Sequence, residues 1–515
     1  MSKKIVYFMD HYSEFGGAAN TLLRQAVLMK KAGKTVIVVV SSWGKICEEY
    51  LHICTGEGIE ICKLCYFVTS QPEGVEILSI FKNYDDVRDF LQEYTPDLVH
   101  SVQLNPTVEL ACRELKIPHI MNIYQALPAF FKFEYPDIFP HYHICDSLYY
   151  ANFWQKYWGT VSYCIRTVAE GGERNIVSID QENLRFVCVG LLCERKNQLE
   201  VIKAFEIAVK RYGLHGKLRL FGRLETAYAE LCRQYIKENK LYDCIEIKGF
   251  SENMETIYQN SDVLICGSTS ESYPNVISEA LAHGVVVIST PVAGVPEVIS
   301  SRKNGYLCKG YGAADIAECI QEFIYDVQSN SLGTILENAY ASYNEIHSPR
   351  AVTSKLLESY EDVLTIYKAE NGYSVNELKS EFGEFVDIFY KNENRFTNVN
   401  YVRASLWKIY YVVRSLSKFG EKFSYYIWGT GKFGLIYKEI LDVFAPEIAI
   451  AGYIDSYATG RYMGYEIVEP DKVLGNENNV ILVGVITRQK EIFDSLNKHN
   501  FVYNENYFTF ESFAW

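Results

Sequence analysis

The sequence predicts an α/β protein made of three Rossmann-like units, each with a doubly wound parallel sheet. Three stretches begin with a β-rich run, pass through a glycine turn and enter a helical pattern, which is how such a sheet opens. These stretches begin at Lys4, Leu184 and Ser424. Because 515 residues exceed what one compact core accommodates, about three domains fit the length of the chain.

The first two units are predicted to form two large domains. In residues 1–175, a strand from Lys4 is followed by the glycines Gly16 and Gly17 and by a helix over 19–32. In residues 176–368, a strand ending at Gly190 leads into a helix over 198–211, and a long amphipathic helix over 351–368 closes the domain. Residues 369–420 read as a helical connector, and residues 421–515 as a smaller Rossmann-like accessory domain.

Charge and hydropathy exclude several classes of protein. The net charge of −14 argues against a nucleic-acid partner, which usually needs a basic surface. The longest apolar runs fall short of the roughly 18 residues that cross a bilayer, and the first ten residues lack the features of a signal peptide. The 14 cysteines lie mostly in apolar runs, as reduced core thiols do, and the pair Cys62 and Cys65 has no second pair that would complete a metal site. We therefore expect a cytoplasmic protein, with contact at the inner face of the cell membrane left open.

The most specific stretch of the chain is 270–297. It reads as a turn that carries Glu271, a helix that starts at Pro274, a glycine stop and another strand. Glu279 lies inside the helix, so one carboxylate can face a sugar while the other faces a ribose. Unpaired backbone N–H groups at the start of the helix, together with its dipole, form an anion site that fits a diphosphate. These N–H groups belong to Asn275, Val276 and Ile277.

This stretch resembles the E-x7-E signature of retaining glycosyltransferase family 4, and the resemblance covers residues 1 to about 368. It implies the GT-B fold, in which two Rossmann-like domains face a cleft. It also implies that Glu271 contacts the donor sugar, that Glu279 holds the ribose hydroxyls, and that Arg195 and Lys196 neutralise the donor diphosphate. Gly16, Gly17 and Gly190 match glycines beside the phosphates. On this resemblance the catalytic residues are Glu271, Arg195 and Lys196.

The chain differs from the family after the strand 119–123, where many members carry a histidine near the acceptor and this sequence has Tyr124 and Gln125. In the mechanism inferred for the family, the leaving diphosphate itself can take the acceptor proton, so the difference affects the acceptor more than the activity. His100 is interpreted as a packing residue at a strand end. The sequence contains no D-x-D triplet, so we expect no metal ligands and no required cofactor beyond a nucleotide-diphosphate sugar such as a UDP-sugar.

The third unit carries Gly429, Gly431 and Gly434 between a strand and a helix, and Asp455 ends the next strand. This context meets the conditions of a dinucleotide fingerprint. The unit is similar to the nucleotide-sugar-binding domain of bacterial sugar O-acyltransferases. An accessory nucleotide site, a scaffold and a homo-oligomer contact all remain open for this domain.

The predicted function is that of a retaining hexosyltransferase in bacterial surface polysaccharide or glycoconjugate synthesis. The acceptor is expected to be a glycan, a lipid-linked molecule or a protein. An aromatic-dense segment over 124–158 could line an acceptor groove, although ordinary packing explains it better. Two alternatives stay open: a non-catalytic subunit that binds nucleotide sugars, and an NAD-dependent enzyme that acts through the third domain.

Overall fold

The computed structural model describes residues 3–9, 17–41, 47–66, 81, 83–103, 105–124, 138–171, 179–224, 226–251, 253–369, 371–419, 422–485, 489–503 and 505–510. Gly16, Gln125 and the aromatic residues of the segment 125–137 lie outside these ranges.

The first lobe contains a sheet of seven parallel strands in the order β3-β2-β1-β4-β5-β6-β7, with helices between them. This order is that of a doubly wound sheet, as the opening strand, glycine turn and helix predict. The strands are β1 Lys4–Phe8, β2 Thr35–Ser41, β3 Glu60–Leu64, β4 Leu98–Val102, β5 His119–Asn122, β6 Tyr142–Cys145 and β7 Val161–Cys164. The helices are α1 Gly17–Lys31, α2 Glu48–Gly56, α3 Tyr84–Tyr94, α4 Pro106–Leu115 and α5 Leu148–Trp158.

The second lobe repeats this architecture with six parallel strands in the order β10-β9-β8-β11-β12-β13. The strands are β8 Leu184–Val189, β9 Gly216–Phe221, β10 Ile245–Gly249, β11 Val263–Cys266, β12 Val286–Ser289 and β13 Tyr306–Leu307. The helices are α6 Gln198–Tyr212, α7 Ala227–Glu238, α8 Met254–Gln259, α9 Asn275–Ala282, α10 Ala313–Gln328 and α11 Leu332–Ile346. Because the carboxyl ends of parallel strands lie at one edge of a sheet, each lobe presents its strand-end loops along one side.

The closing helix α12, Pro349–Ile366, returns to the first lobe. Its buried side chains, among them Val352, Leu356 and Val363, belong to the apolar core of that lobe. Tyr360 also donates its hydroxyl to Nδ1 of His100 at 2.6 Å, deep in the same core. The predicted domain 176–368 includes α12 in the second lobe. In the structure, α12 packs on the first lobe instead.

The third lobe has six strands in the order β16-β17-β15-β14-β18-β19, with β16 antiparallel to β17. Its strands are β14 Ser424–Trp428, β15 Ile450–Ile454, β16 Gly460–Tyr462, β17 Tyr465–Val468, β18 Asn479–Val483 and β19 Tyr507–Phe508. Its helices are α16 Lys432–Phe444, α17 Pro470–Val473 and α18 Gln489–Lys498, and the preceding connector forms α13 Val375–Asn392, α14 Val399–Ala404 and α15 Leu406–Leu416.

The connector helices attach the third lobe to the first. Phe382 packs edge-on against Trp407 with ring centroids 4.3 Å apart, and Phe385 stacks on Phe444 of α16 at 4.1 Å. Trp407 also contacts Phe81 near the first sheet, at 5.8 Å. One continuous apolar cluster therefore joins the first lobe, the connector and the third sheet.

All 14 cysteines are free thiols, and eight of them are buried. Cys62 and Cys65 are free and partly buried, as expected for packing residues. Among the helices that the structure describes, none combines the length and apolar character needed to span a bilayer.

Candidate active site

A cleft of about 2000 Å³ lies between the first and second lobes, and residues of both lobes line it. The predicted residues Arg195, Lys196, Glu271 and Glu279 all line this cleft, and Gly17 lines it from the first lobe. The structure thus brings into one cavity the residues that the sequence spreads over more than 250 positions.

Close backbone packing positions the two basic residues. Gly190 follows β8 and has a φ of 145°. The backbone at Gly222 packs against it so closely that a Cβ on Gly222 would lie only 1.9 Å from the Gly190 carbonyl oxygen. The methylenes of Lys196 lie 3.4 Å from the place where a Cβ on Gly190 would be. Glycine at position 190 therefore leaves room for Lys196 to extend along the loop into the cleft.

Glu271 forms ion pairs with both basic residues. Its Oε1 atom lies 2.5 Å from the Arg195 guanidinium and 2.6 Å from Nζ of Lys196. The Arg195 side chain is 45% exposed, whereas those of Lys196 and Glu271 are 17% and 12% exposed. Arg195 also donates to the carbonyl of Ser270 at 3.0 Å, which ties the basic loop to the turn before α9. A diphosphate that binds here must share these cations with Glu271.

Helix α9 begins at Asn275, with Pro274 as its extended N-cap residue. The amides of Asn275 and Val276 have no intrahelical acceptor, as at any helix start. Ile277 differs from the prediction, because its N–H donates to the Pro274 carbonyl at 3.0 Å and its side chain is fully buried. A tight first turn thus uses the third amide, and two amides remain for an anion.

The glycine of the first lobe faces the start of α9. A Cβ on Gly17 would lie 3.7 Å from the side-chain nitrogen of Asn275. Gly17 also begins α1, so the N-termini of two helices approach each other across the cleft. Both helix ends are favourable for negative charge.

Glu279 lies deeper in the cleft, on α9. Its carboxylate accepts a hydrogen bond from the Tyr258 hydroxyl at 2.9 Å. Burial raises its pKa, and the charge of Arg24 from the first lobe opposes that shift. His283 donates from Nδ1 to the Glu279 carbonyl at 2.8 Å and stacks on Tyr258. The Glu279 carboxylate is thus oriented by its neighbours, as a hydroxyl-binding group needs to be.

Sequence reasoning missed a set of polar contacts between the two lobes. Asp146 follows β6 and accepts a short hydrogen bond from the Ser272 hydroxyl of the second lobe. Arg166 forms a short ion pair with Glu297. The Glu297 carboxylate also accepts from the backbone amides of Leu148 and Tyr149 at 2.8 and 2.9 Å, at the start of α5. The sequence shows Glu297 beside the predicted motif, but nothing in it indicates these partners.

Gly294 lies at the same contact between the lobes. A Cβ at this position would be 2.6 Å from Cβ of Ser147 and 2.9 Å from the Ser272 carbonyl. Only glycine therefore lets the two lobes approach this closely here.

Tyr124 lines the cleft. His100 does not line it; it is fully buried and bonded to Tyr360 and Asn122. This contact pattern agrees with its interpretation as a packing residue.

The glycines of the third lobe form a tight strand-to-helix turn. Gly429 has a φ of 120°, and a Cβ on Gly434 would lie 2.1 Å from the Gly429 carbonyl oxygen, whereas Gly431 faces open space. Asp455 accepts from the Thr430 hydroxyl at 2.7 Å and from the amides of Tyr457 and Ala458 at 2.9 and 3.1 Å. Both oxygens of Asp455 thus hold the local loops, a structural role that the fingerprint does not indicate.

Comparison with known proteins finds sequence similarity over part of the chain. Residues 172–340 match the family of glycosyl transferases group 1. Over 172 residues the chain is 30% identical to N-acetyl-alpha-D-glucosaminyl L-malate synthase of Bacillus anthracis, covering 33% of this chain and 43% of that protein. Over 138 residues it is 30% identical to the capsular polysaccharide biosynthesis glycosyltransferase CapM of Staphylococcus aureus, covering 27% and 36%. Over 152 residues it is 25% identical to the poly(glycerol-phosphate) alpha-glucosyltransferase of Bacillus subtilis, covering 29% and 22%. The matched region therefore spans less than half of each relative.

Solved structures match a larger part of the chain. A glycosyltransferase from Rickettsia africae superposes with a TM-score of 0.59 at 16% identity, covering 71% of this chain and 99% of that one. Anabaena Alr3699/HepE in complex with UDP superposes with a TM-score of 0.57 at 18% identity, covering 70% and 100%. The first two lobes thus have the GT-B fold.

Proposed function

We propose that this protein transfers a sugar, with retention of anomeric configuration, from a nucleotide-diphosphate sugar to a hydroxyl acceptor. One observation carries the proposal: two cations, a helix N-terminus and two carboxylates converge in one cleft between two Rossmann-like lobes. The HepE structure that superposes on these lobes is described as a complex with UDP, which supports a UDP-sugar as donor.

The leaving group is a nucleoside diphosphate in this proposal. Arg195, Lys196 and the amides of Asn275 and Val276 stabilise the negative charge that develops as the bond from the sugar to the phosphate breaks. Fixed charges and dipoles in a partly water-excluded cleft stabilise that charge without reorganisation. These groups supply the electrostatic stabilisation of the leaving group from the protein itself.

The two carboxylates then bind the neutral parts of the donor. Glu271, next to the cations, accepts hydrogen bonds from the sugar hydroxyls, and Glu279, held by Tyr258, accepts them from the ribose. Retention follows when the acceptor attacks from the face that the phosphate leaves. The names of two relatives describe alpha-linked products, which supports this stereochemistry.

The acceptor is proposed to belong to a bacterial surface polysaccharide or glycoconjugate. This assignment rests on the capsular polysaccharide biosynthesis glycosyltransferase among the relatives. The hexosyl nature of the donor sugar is part of the same proposal.

The test is incubation of the full chain with a panel of UDP- and GDP-sugars, followed by measurement of nucleotide release and of product anomericity by NMR. The expected result is release with one donor and an alpha-configured product. A Lys196→Met variant should bind UDP about 10- to 100-fold more weakly, since a charged hydrogen bond contributes about 1.5–3 kcal/mol.

Lys203→Met is the matched control, because Lys203 pairs with Glu200 on α6 and does not line the cleft. Donor binding without turnover would favour the non-catalytic subunit. Absence of binding to every donor would refute the proposal.

A further inference from the structure

The carboxyl ends of three neighbouring strands form the first-lobe side of the cleft. Gln103 follows β4, Tyr124 follows β5 and Asp146 follows β6, and these strands are adjacent in the sheet. All three residues line the cleft. The loops at this edge of a parallel sheet are the usual place for ligand contacts.

Asp146 is a buried carboxyl group, with 4% of the residue exposed. Its Oδ1 atom accepts the short hydrogen bond from Ser272, the residue after Glu271. Arg166 lies nearby, yet its guanidinium donates to the backbone carbonyl of Asp146 and pairs with Glu297. The donors that reach the Asp146 carboxylate among the described residues are the Ser272 hydroxyl and the backbone amide of Asp146 itself. An ionised carboxylate has about four acceptor positions, so these two donors leave room for a hydroxyl of a ligand in the cleft.

Gln103 adds a second polar acceptor at this place. Its φ of 57° is left-handed, which is uncommon for a residue other than glycine. Its Oε1 atom is buried and has no hydrogen-bond partner among the residues that the structure describes. Two acceptor groups, the Asp146 carboxylate after β6 and Oε1 of Gln103 after β4, lie on either side of β5 and fit a molecule that offers hydroxyl donors.

Building on the proposed function, we propose that Asp146 holds the attacking hydroxyl of the acceptor, which donates to its carboxylate, and that Gln103 accepts a hydrogen bond from a second acceptor hydroxyl. The acceptor is accordingly a hydroxyl-rich molecule of the sugar or polyol class. The bond from C1 to the phosphate oxygen breaks and its electron pair goes to the departing diphosphate. The acceptor oxygen forms the new bond to C1, and its proton passes along the hydrogen bond to the Asp146 carboxylate.

The ionisation of Asp146 gives this role a pH signature. Burial raises its pKa to about 7, against the hydrogen bond from Ser272 and the charge of Arg166. The ionised form is the better hydrogen-bond acceptor, so use of the acceptor should increase as pH rises through about 7. The titratable and charged groups that face Asp146 from the surrounding elements are Arg166, Glu271, Tyr124, Tyr150, Tyr273, Cys145 and Cys164.

The test compares wild type with Asp146→Asn, using the donor that wild type turns over fastest. The acceptor probes are glycerol and octyl β-D-glucopyranoside, and transfer to water is measured in the same reaction. In the variant, the ratio of transfer to hydrolysis should fall about 10- to 100-fold, the range for loss of a hydrogen bond to a charged group. The dependence on pH near 7 should disappear, and UDP binding by calorimetry should be unchanged.

Two further variants separate acceptor binding from folding. Gln103→Leu should raise the KM for the glucoside probe while the hydrolysis rate is retained. Asp326→Asn is the matched control, because Asp326 is also a buried carboxylate, paired with Arg302 away from the cleft. It should leave the ratio of transfer to hydrolysis unchanged.

The outcomes distinguish this proposal from the function on which it rests. An unchanged ratio in Asp146→Asn, with wild-type turnover present, would overturn the acceptor role alone. If wild type neither binds UDP nor turns over any donor, the proposed function and the acceptor role are both overturned.

Discussion

Replacement of Glu271 by glutamine is expected to change UDP binding and sugar transfer in opposite directions. In the structure, the Glu271 carboxylate pairs with both Arg195 and Lys196. Glutamine has nearly the same shape but no charge, so both cations become more available to a diphosphate. The same change removes the carboxylate that is proposed to bind the sugar.

The expected increase in UDP affinity depends on how exposed each of the two ion pairs is to solvent. The Lys196 pair is mostly buried, with a 2.6 Å contact between side chains that are 17% and 12% exposed. Such charged contacts contribute about 1.5–3 kcal/mol. The Arg195 side chain is 45% exposed, so solvent screens that pair and its contribution is about 0–1 kcal/mol. UDP must compete with Glu271 for both cations. If roughly half of the summed energy of the two ion pairs is lost when UDP binds, UDP affinity should rise about 5- to 30-fold in the variant, which corresponds to about 1–2 kcal/mol.

Calorimetry of UDP binding and nucleotide release from the donor measure the two effects separately. The control is Glu206→Gln, because Glu206 is 13% exposed and pairs with Lys210 at 2.5 Å in the same lobe, outside the cleft. The control should alter neither value. UDP affinity that stays the same or falls in Glu271→Gln, with an unchanged Tm, would refute the competition argument. Full transfer activity in that variant would refute the role of Glu271 at the sugar.

Three further predictions concern the contacts around the cleft and the third lobe. Glu297→Gln should lower stability by about 2–3 kcal/mol in calorimetry, because it leaves the Arg166 guanidinium, only 5% exposed, without its carboxylate; an unchanged Tm would contradict this. Gly434→Ala should lower the unfolding temperature of the protein, since the new Cβ would lie 2.1 Å from a carbonyl oxygen, and should leave UDP binding unchanged in calorimetry. For Asp146, whose pKa rises from 3.8 to about 7 on folding, wild type loses stability as pH increases through this window. The difference in free energy of unfolding, Asp146→Asn minus wild type, should therefore increase as pH rises over that window, by at most about 1.4 kcal/mol per pH unit. Urea titrations that show no such increase would contradict this prediction.

The three-unit architecture could be predicted because its signals are local. A buried strand, a glycine turn and an amphipathic helix follow one another within a few tens of residues, and each is specified by side-chain periodicity and by glycine conformation. The strand that begins at Ser424 and the helix that follows its glycine turn occur where the sequence predicts them. The short edge strands β13, β16 and β19 carry too few residues to show a period, and they were not predicted.

Part of the site could be predicted in the same way. Arg195, Lys196 and Glu271 lie on loops that follow parallel strands, and Glu279 lies on the helix after the last of these loops. This order predicts one shared site, because all parallel strands of a lobe end on the same side. The sequence could not predict which backbone amides at the start of α9 remain free to bind an anion. Whether the first turn of α9 is tight depends on backbone geometry, and that turn occupies the Ile277 amide.

The sequence by itself determined the local elements, the second lobe's glycine and basic loop, and the spacing of its two carboxylates. Only the tertiary structure decided which distant residues meet: Asp146 contacts a serine 126 positions away, and Arg166 pairs with a glutamate 131 positions away. It also decided that α12 packs on the first lobe and that the connector fixes the third lobe there. The physical reason is that the partner of a buried polar or apolar group is set by which surfaces pack together. No periodicity within a single segment specifies that choice.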